Sequence, residues 1–120
     1  MATRYFVSKV DASVEFYTKR LGFELVEKWG PAFAIIARNG QTLWLSGPGT
    51  SAARPMPDGG KPEPGGWNRI VVEVGGLNEL AISLHEAGVV FRGELISGPG
   101  GSQLLIEDPD GNPIELFEGR

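Results

Sequence analysis

The chain has no cysteine. That removes disulfides, thiolate metal sites and a thiol nucleophile. It has a single histidine, His85, in 120 residues. His85 lies between Leu84 and Glu86, near the outer edge of an expected helix, and reads as a surface side chain. No Ser–Asp set is expected around it, so nucleophilic catalysis finds little support. A basic excess is also missing. Lys and Arg number 11 against 15 Asp and Glu, for a net charge of -4, and no basic cluster offsets this locally. That argues against a nucleic-acid partner. No apolar run approaches membrane-spanning length and no signal peptide precedes the first strand, so the expectation is a cytoplasmic protein with no membrane partner.

What is present is the composition of an ordinary globular domain. Hydrophobic residues at 41% and charged residues at 22% are enough for a core in a chain of this length. The 18 glycines and 9 prolines mark turns between many short elements. RYFV (4–7) is β-prone and predicts a first strand, with its start as early as Ala2. Asp11-Ala12-Ser13 opens a helix to about Leu21, with Asp11 as N-cap and Gly22 as a left-handed C-cap. Val14, Tyr17 and Leu21 share one face of it. FELVEKW (23–29) alternates and predicts a half-exposed strand. A more buried strand over 32–38 turns at Asn39-Gly40 into QTLWLS (41–46).

Residues 47–66 are different: GPGTSAARPMPDGGKPEPGG, without apolar periodicity. Such a stretch is a linker or a lid. After it the pattern restarts. RIVVEV (69–74) predicts a strand, 77–87 a helix capped by Gly88, and 89–95 another strand. Ser97 to Gly101 reads as a flexible turn; no helix follows it, so it is not a phosphate loop. The final stretch, LLIEDPDGNPIELFE (104–118), predicts two antiparallel strands around Asp108-Pro109-Asp110-Gly111, which has type I turn chemistry. Each half therefore reads strand, helix, then three strands. The expected fold is α+β: one domain over 1–120, built of two βαβββ modules, 1–46 and 67–120, joined by 47–66. Helices on one face leave the other face free to curl into a cup.

Three stretches resemble the vicinal oxygen chelate superfamily, which holds glyoxalase I, extradiol dioxygenases and the fosfomycin- and bleomycin-resistance proteins. They are Val7 to Tyr17 continued by Leu21-Gly22-Phe23; Glu73-Val74 to Leu77 with Ala87-Gly88-Val89; and Asp108 to Leu116. The resemblance implies a mixed sheet curved into a cup with helices outside. It also implies a homodimer, since members build the cup by pairing modules within or between chains. Lys9 departs from the common Asp.

Metal enzymes of that family hold a divalent ion with four strand-borne ligands. Carried over one by one, the positions fall on Ala2, Trp44, Arg69 and Glu115. Only Glu115 is a possible ligand: alanine has no donor atom, indole has only an N–H, and arginine is a permanent cation. One carboxylate cannot fill such a site. The expectation is no metal and no cofactor. Arg69 and Glu115 should lie close, either as a plain ion pair or as an anion fork oriented by its carboxylate. Arg4 lies two residues beyond Ala2 on the same strand face, and adds a donor or is a solvated strand-end arginine. Trp44 offers a stacking face. Trp67 is a second stacking candidate or a loop anchor, and Phe6 and Phe33 belong to either core or cup.

The ligand-binding set expected is Arg4, Trp44, Trp67, Arg69 and Glu115. The function expected is metal-free binding of an aromatic or anionic small molecule, in the manner of drug- or metabolite-sequestering members. A second reading is a metal-independent lyase, isomerase or hydrolase with Glu115 as general base and Arg69 stabilising an oxyanion. A third, a divalent-metal glyoxalase or dioxygenase with displaced ligands, needs donors whose expected positions do not converge.

Overall fold

The computed structural model describes every residue from Met1 to Arg120. The chain divides into two compact units, Met1–Pro64 and Gly65–Arg120. The division falls inside the Gly/Pro-rich connection.

The first unit contains β1 (Ala2–Phe6), α1 (Val10–Leu21), β2 (Glu24–Trp29), β3 (Phe33–Arg38) and β4 (Gln41–Ser46). The sheet order is β1-β4-β3-β2, with β1 and β4 parallel and the other pairs antiparallel. Alternation then decides what each face carries. Tyr5, Ala34, Ile36, Leu43 and Leu45 point to one side and are buried with Val10, Tyr17 and Leu21 of α1. Each large side chain buried this way contributes about 1.5–3 kcal/mol of transfer free energy before entropy is subtracted. Tyr17 is fully buried, and its ring meets Phe23 edge-on at 5.5 Å.

The helix start differs from the sequence expectation. α1 begins at Val10 behind Lys9, which is extended and makes no side-chain cap bond. Val10 is 1% exposed, so it extends the apolar stripe of α1 by one turn. That burial outweighs the cap that Asp11 would supply. Asp11 sits instead in the first turn, where a carboxylate favours the helix dipole, and it pairs with Lys28 at 2.8 Å. Gly22 closes the helix in the left-handed conformation, as expected. Asn39 and Gly40 both have positive φ, the geometry of a tight two-residue hairpin. β2 is more exposed than its alternation predicts. It lies at the sheet edge, and a bulge between Leu25 and Glu27 breaks its register.

The second unit repeats the order: β5 (Ile70–Glu73), α2 (Leu77–Glu86), β6 (Ile96–Gly98), β7 (Gly101–Glu107) and β8 (Pro113–Gly119). Its sheet runs β5-β8-β7-β6, again with only the first pair parallel. Val72, Leu104, Ile106, Ile114 and Leu116 are buried with Leu77 and Leu84 of α2. Both units are thus mixed four-stranded sheets with one α-helix each, and the first adds a short 3-10 turn at Ser51–Ala53.

The strand expected over 89–95 does not form as a continuous ladder. Only Phe91 bridges, to Ile106, and the ladder resumes at Ile96 opposite Gln103. Five steps on one side thus match three on the other, so two extra residues bulge out at the edge. The detour begins just after Arg92, whose own N–H still donates to the Leu105 carbonyl at 2.8 Å. Its guanidinium turns toward Glu107 and toward the carbonyls of Gly66 and Gly111, at 2.6–2.9 Å. The flexible turn expected over 97–101 is mostly strand. Ser97 pairs with Ser102 and Gly98 with Gly101, leaving Pro99-Gly100 as the loop. A side chain at Gly101, where φ is +146°, would collide with the carbonyl oxygen of Glu118.

Candidate functional site

The faces away from the helices carry the candidate residues. In the first unit, register places Arg4 beside Trp44, Trp44 beside Ile35, and both Phe6 and Phe33 beside Ser46. All of these side chains therefore share the face away from α1. Phe6 and Phe33, undecided in the sequence, belong here and not to the helix-side core. Trp29 of β2 pairs with Phe33 and extends the row.

The row is a connected aromatic cluster. The Trp29 and Phe33 rings lie 5.4 Å apart, and Phe33 meets Trp44 edge-on at 5.9 Å. Arg4 lies over it, with its guanidinium carbon 5.0 Å from the Trp44 ring and 5.9 Å from that of Phe33. Nη1 of Arg4 donates to Ser46 Oγ at 2.9 Å. Ser46 is 1% exposed, so the hydroxyl is a fixed acceptor. Ring faces carry negative potential and hold a cation above them. Two rings and a hydroxyl thus fix where this guanidinium sits.

In the second unit, Val71 pairs with Glu115 across the parallel ladder, and Arg69 precedes Val71 by two. Arg69 and Glu115 therefore share the face away from α2. Nε and Nη2 of Arg69 both donate to Glu115 Oε1, at 3.2 and 3.0 Å. The Glu115 side chain is 14% exposed and that of Arg69 31%. Arg4 is to Trp44 as Val71 is to Glu115, so Ala2 and Arg69 occupy equivalent places.

Within each unit the expected residues group in pairs. Arg4 joins Trp44 in the first unit, and Arg69 joins Glu115 in the second. Trp67 does not join the Arg69–Glu115 pair of its own unit. It is 72% exposed and lies under Arg92, whose guanidinium carbon is 4.6 Å from its ring. The loop-anchor reading describes this contact. His85 is exposed on α2, with its ring 6.1 Å from Phe91.

Sequence reasoning missed Ser46, Trp29 and Arg92. A period-two count from Trp44 would have reached Ser46. Trp29 needed the β2–β3 register, and Arg92 was hidden inside a strand that does not form. Glu118 was also missed. Its two carboxylate oxygens accept from the backbone N–H groups of Gly76 and Leu77, at 2.9 and 3.0 Å, and so cap α2 from another strand. The bonds from Leu77 and then Gly76 hold its pKa below the usual carboxylate value.

The family resemblance implies a divalent ion, and the residues present do not fit one. Ala2 brings no donor, Trp44 only an N–H, and Arg69 a cation already bound to Glu115. No group of three or more His, Cys, Asp or Glu side chains is arranged to hold an ion.

A family model described as Glyoxalase/Bleomycin resistance protein/Dioxygenase superfamily matches residues 2–116. The chain belongs to this superfamily. Among solved structures, a superfamily member from Sphaerobacter thermophilus is 28% identical, with a TM-score of 0.76, covering 98% of this chain and 95% of that one. Lactoylglutathione lyase from Agrobacterium tumefaciens is 21% identical, with a TM-score of 0.74 and coverage of 99% and 92%. TnmS3, an antibiotic binding protein from Streptomyces sp. CB03234, is 23% identical, with a TM-score of 0.69 and coverage of 100% and 96%. The last two likenesses are likenesses of fold. None of the curated proteins matches the chain. No helix is long and apolar enough to cross a membrane.

Proposed function

We propose that this superfamily member binds a small aromatic molecule without a metal ion and without chemical turnover, as a sequestering protein. The observation that carries the reading is the Arg4–Trp44–Phe33 cluster. An indole with a cation above it stands at the strand position where the resemblance implies a metal ligand. Flat apolar faces bind flat apolar ligands, and rings already fixed against one another lose little entropy on binding. The fold likeness to the antibiotic binding protein TnmS3 is compatible with this reading.

Catalysis by Glu115 is the weaker reading. Its Oε1 already accepts both Arg69 donors, which leaves Oε2 as the oxygen that could take a proton from a substrate.

The test is a screen of planar aromatic compounds by quenching of Trp fluorescence, on protein stripped with chelator, with each compound recovered afterwards. Saturable binding with the compound returned unchanged supports the proposal. Binding that needs added Zn, Ni, Mn, Fe or Co, or a compound that returns altered, refutes it.

A further inference from the structure

Three arginines, Arg4, Arg69 and Arg92, differ in how their charge is met. Arg69 spends its Nε–Nη2 edge on Glu115. Arg92 spends Nε on Glu107 at 2.7 Å and its remaining nitrogens on two carbonyls. Arg4 has no carboxylate in its unit. Its one hydrogen bond there runs from Nη1 to the neutral Ser46 hydroxyl. The Nε–Nη2 edge, which in Arg69 grips a carboxylate, meets no acceptor within the unit.

That edge is the guanidinium's two-pronged fork, matched in spacing to the two oxygens of a carboxylate. The fork is fixed in place. Ser46 Oγ holds the opposite nitrogen, and the Trp44 and Phe33 rings lie beneath. Arg4 itself is exposed, so a molecule from solvent reaches it. A guanidinium already fixed by protein contacts loses little freedom when an anion docks. The connected Trp29, Phe33 and Trp44 rings extend outward from under the guanidinium as an apolar surface continuous with the fork.

We infer that the ligand of the first unit is a planar aromatic carboxylate, whose acid group is held by the Nε–Nη2 fork of Arg4 while its rings lie on Trp44 and Phe33. The inference rests on the small-molecule binding reading above and narrows it to a charge class. An aromatic cation would meet repulsion from Arg4, and a neutral aromatic would leave the fork unpaired. The superfamily relationship does not dictate this choice of charge, because it follows from one uncompensated side chain.

The test compares anthraquinone-2-carboxylate with anthraquinone-2-carboxamide, which share ring system and shape. Binding is followed by Trp fluorescence and calorimetry on chelator-stripped protein. The carboxylate should bind at least tenfold more tightly at low salt, and its affinity should fall as salt rises. In Arg4→Gln the preference should vanish while carboxamide affinity changes little. In Trp44→Leu both affinities should fall together with the preference kept. Circular dichroism and thermal melts identify any variant that fails to fold. Equal affinities in the wild type, or a preference that survives Arg4→Gln, overturn the carboxylate assignment and leave aromatic binding intact. Absence of binding by both compounds overturns the assignment. If the whole aromatic screen is also negative, the binding reading falls with it.

Discussion

The two units share one plan and finish it differently. In each, a parallel pair of strands brings together the residues onto which the resemblance maps ligand positions, Ala2 and Trp44 in the first unit and Arg69 and Glu115 in the second. The second unit closes on itself there: Arg69 and Glu115 neutralise each other across the ladder. The first leaves its cation over aromatic rings, with a serine as its one hydrogen-bonding partner in the unit. An ion pair costs desolvation and returns Coulomb attraction, so it largely cancels and contributes modestly to stability. A cation over rings keeps its field available to a ligand. Arg4 stands two residues beyond the strand position that Arg69 fills in the other unit, and the two cations are met differently according to what the last strand carries: Glu115 in one unit, Trp44 in the other.

Trp44→Glu should break this contrast most severely. It places a carboxylate at the first unit's equivalent of Glu115, beneath Arg4. Binding of anthraquinone-2-carboxylate should fall more than tenfold, through lost stacking and a neutralised fork. Calorimetry reads this directly, and affinity kept within a factor of two would sink the contrast.

The hairpins sharpen it next. The first unit turns on Asn39-Gly40 alone, whereas the second builds a buried polar loop. There Asp108 accepts from the N–H groups of Asp110 and Asn112 and from the Asn112 amide, at 2.8–2.9 Å. Asp108 and Asn112 are 4% and 3% exposed. Asp108→Ala strands buried donors and should cost about 3 kcal/mol in urea unfolding. Asn39→Ala, at a left-handed position, should cost about 1–2 kcal/mol. The reverse order would mean that the buried loop is not the stronger anchor.

Glu115→Gln comes third. The pair is partly buried, so its loss should cost about 1–2 kcal/mol, between the values for exposed and buried bridges. Carboxamide binding should not change.

The smallest effect is the pH dependence of the α2 cap. Folding depresses the pKa of Glu118, so its contribution is present above the unfolded-state value near 4.5 and is lost as pH falls through the lower folded value. Glu118→Gln should lower the melting temperature slightly at neutral pH. The difference from wild type should narrow in acid, and a gap that is constant with pH would contradict the linkage.

Most of the fold was legible because its signals are local. Gly22, Asn39-Gly40 and the Asp108–Gly111 turn mark boundaries wherever the rest of the chain goes. The Arg69–Glu115 contact was legible because period-two alternation and the ligand-position mapping point to the same residues. What was not legible depended on distant partners. Arg92 keeps its backbone bond to Leu105, while its guanidinium reaches Glu107 and two distant carbonyls, and the chain leaves the ladder only beyond it. Val10 overrides the cap at Asp11 because the sheet needs its side chain. Glu118 caps a helix that starts 41 residues earlier in the chain, and no local pattern encodes that.

The most direct measurement is the calorimetric stoichiometry of anthraquinone-2-carboxylate on protein freed of metal by chelator, in wild type and in Arg4→Gln. The account predicts one saturable site per chain in the wild type, unaffected by added zinc or nickel, and a loss of at least tenfold in the variant. Binding that appears only with added metal, or that ignores the loss of Arg4, would contradict it.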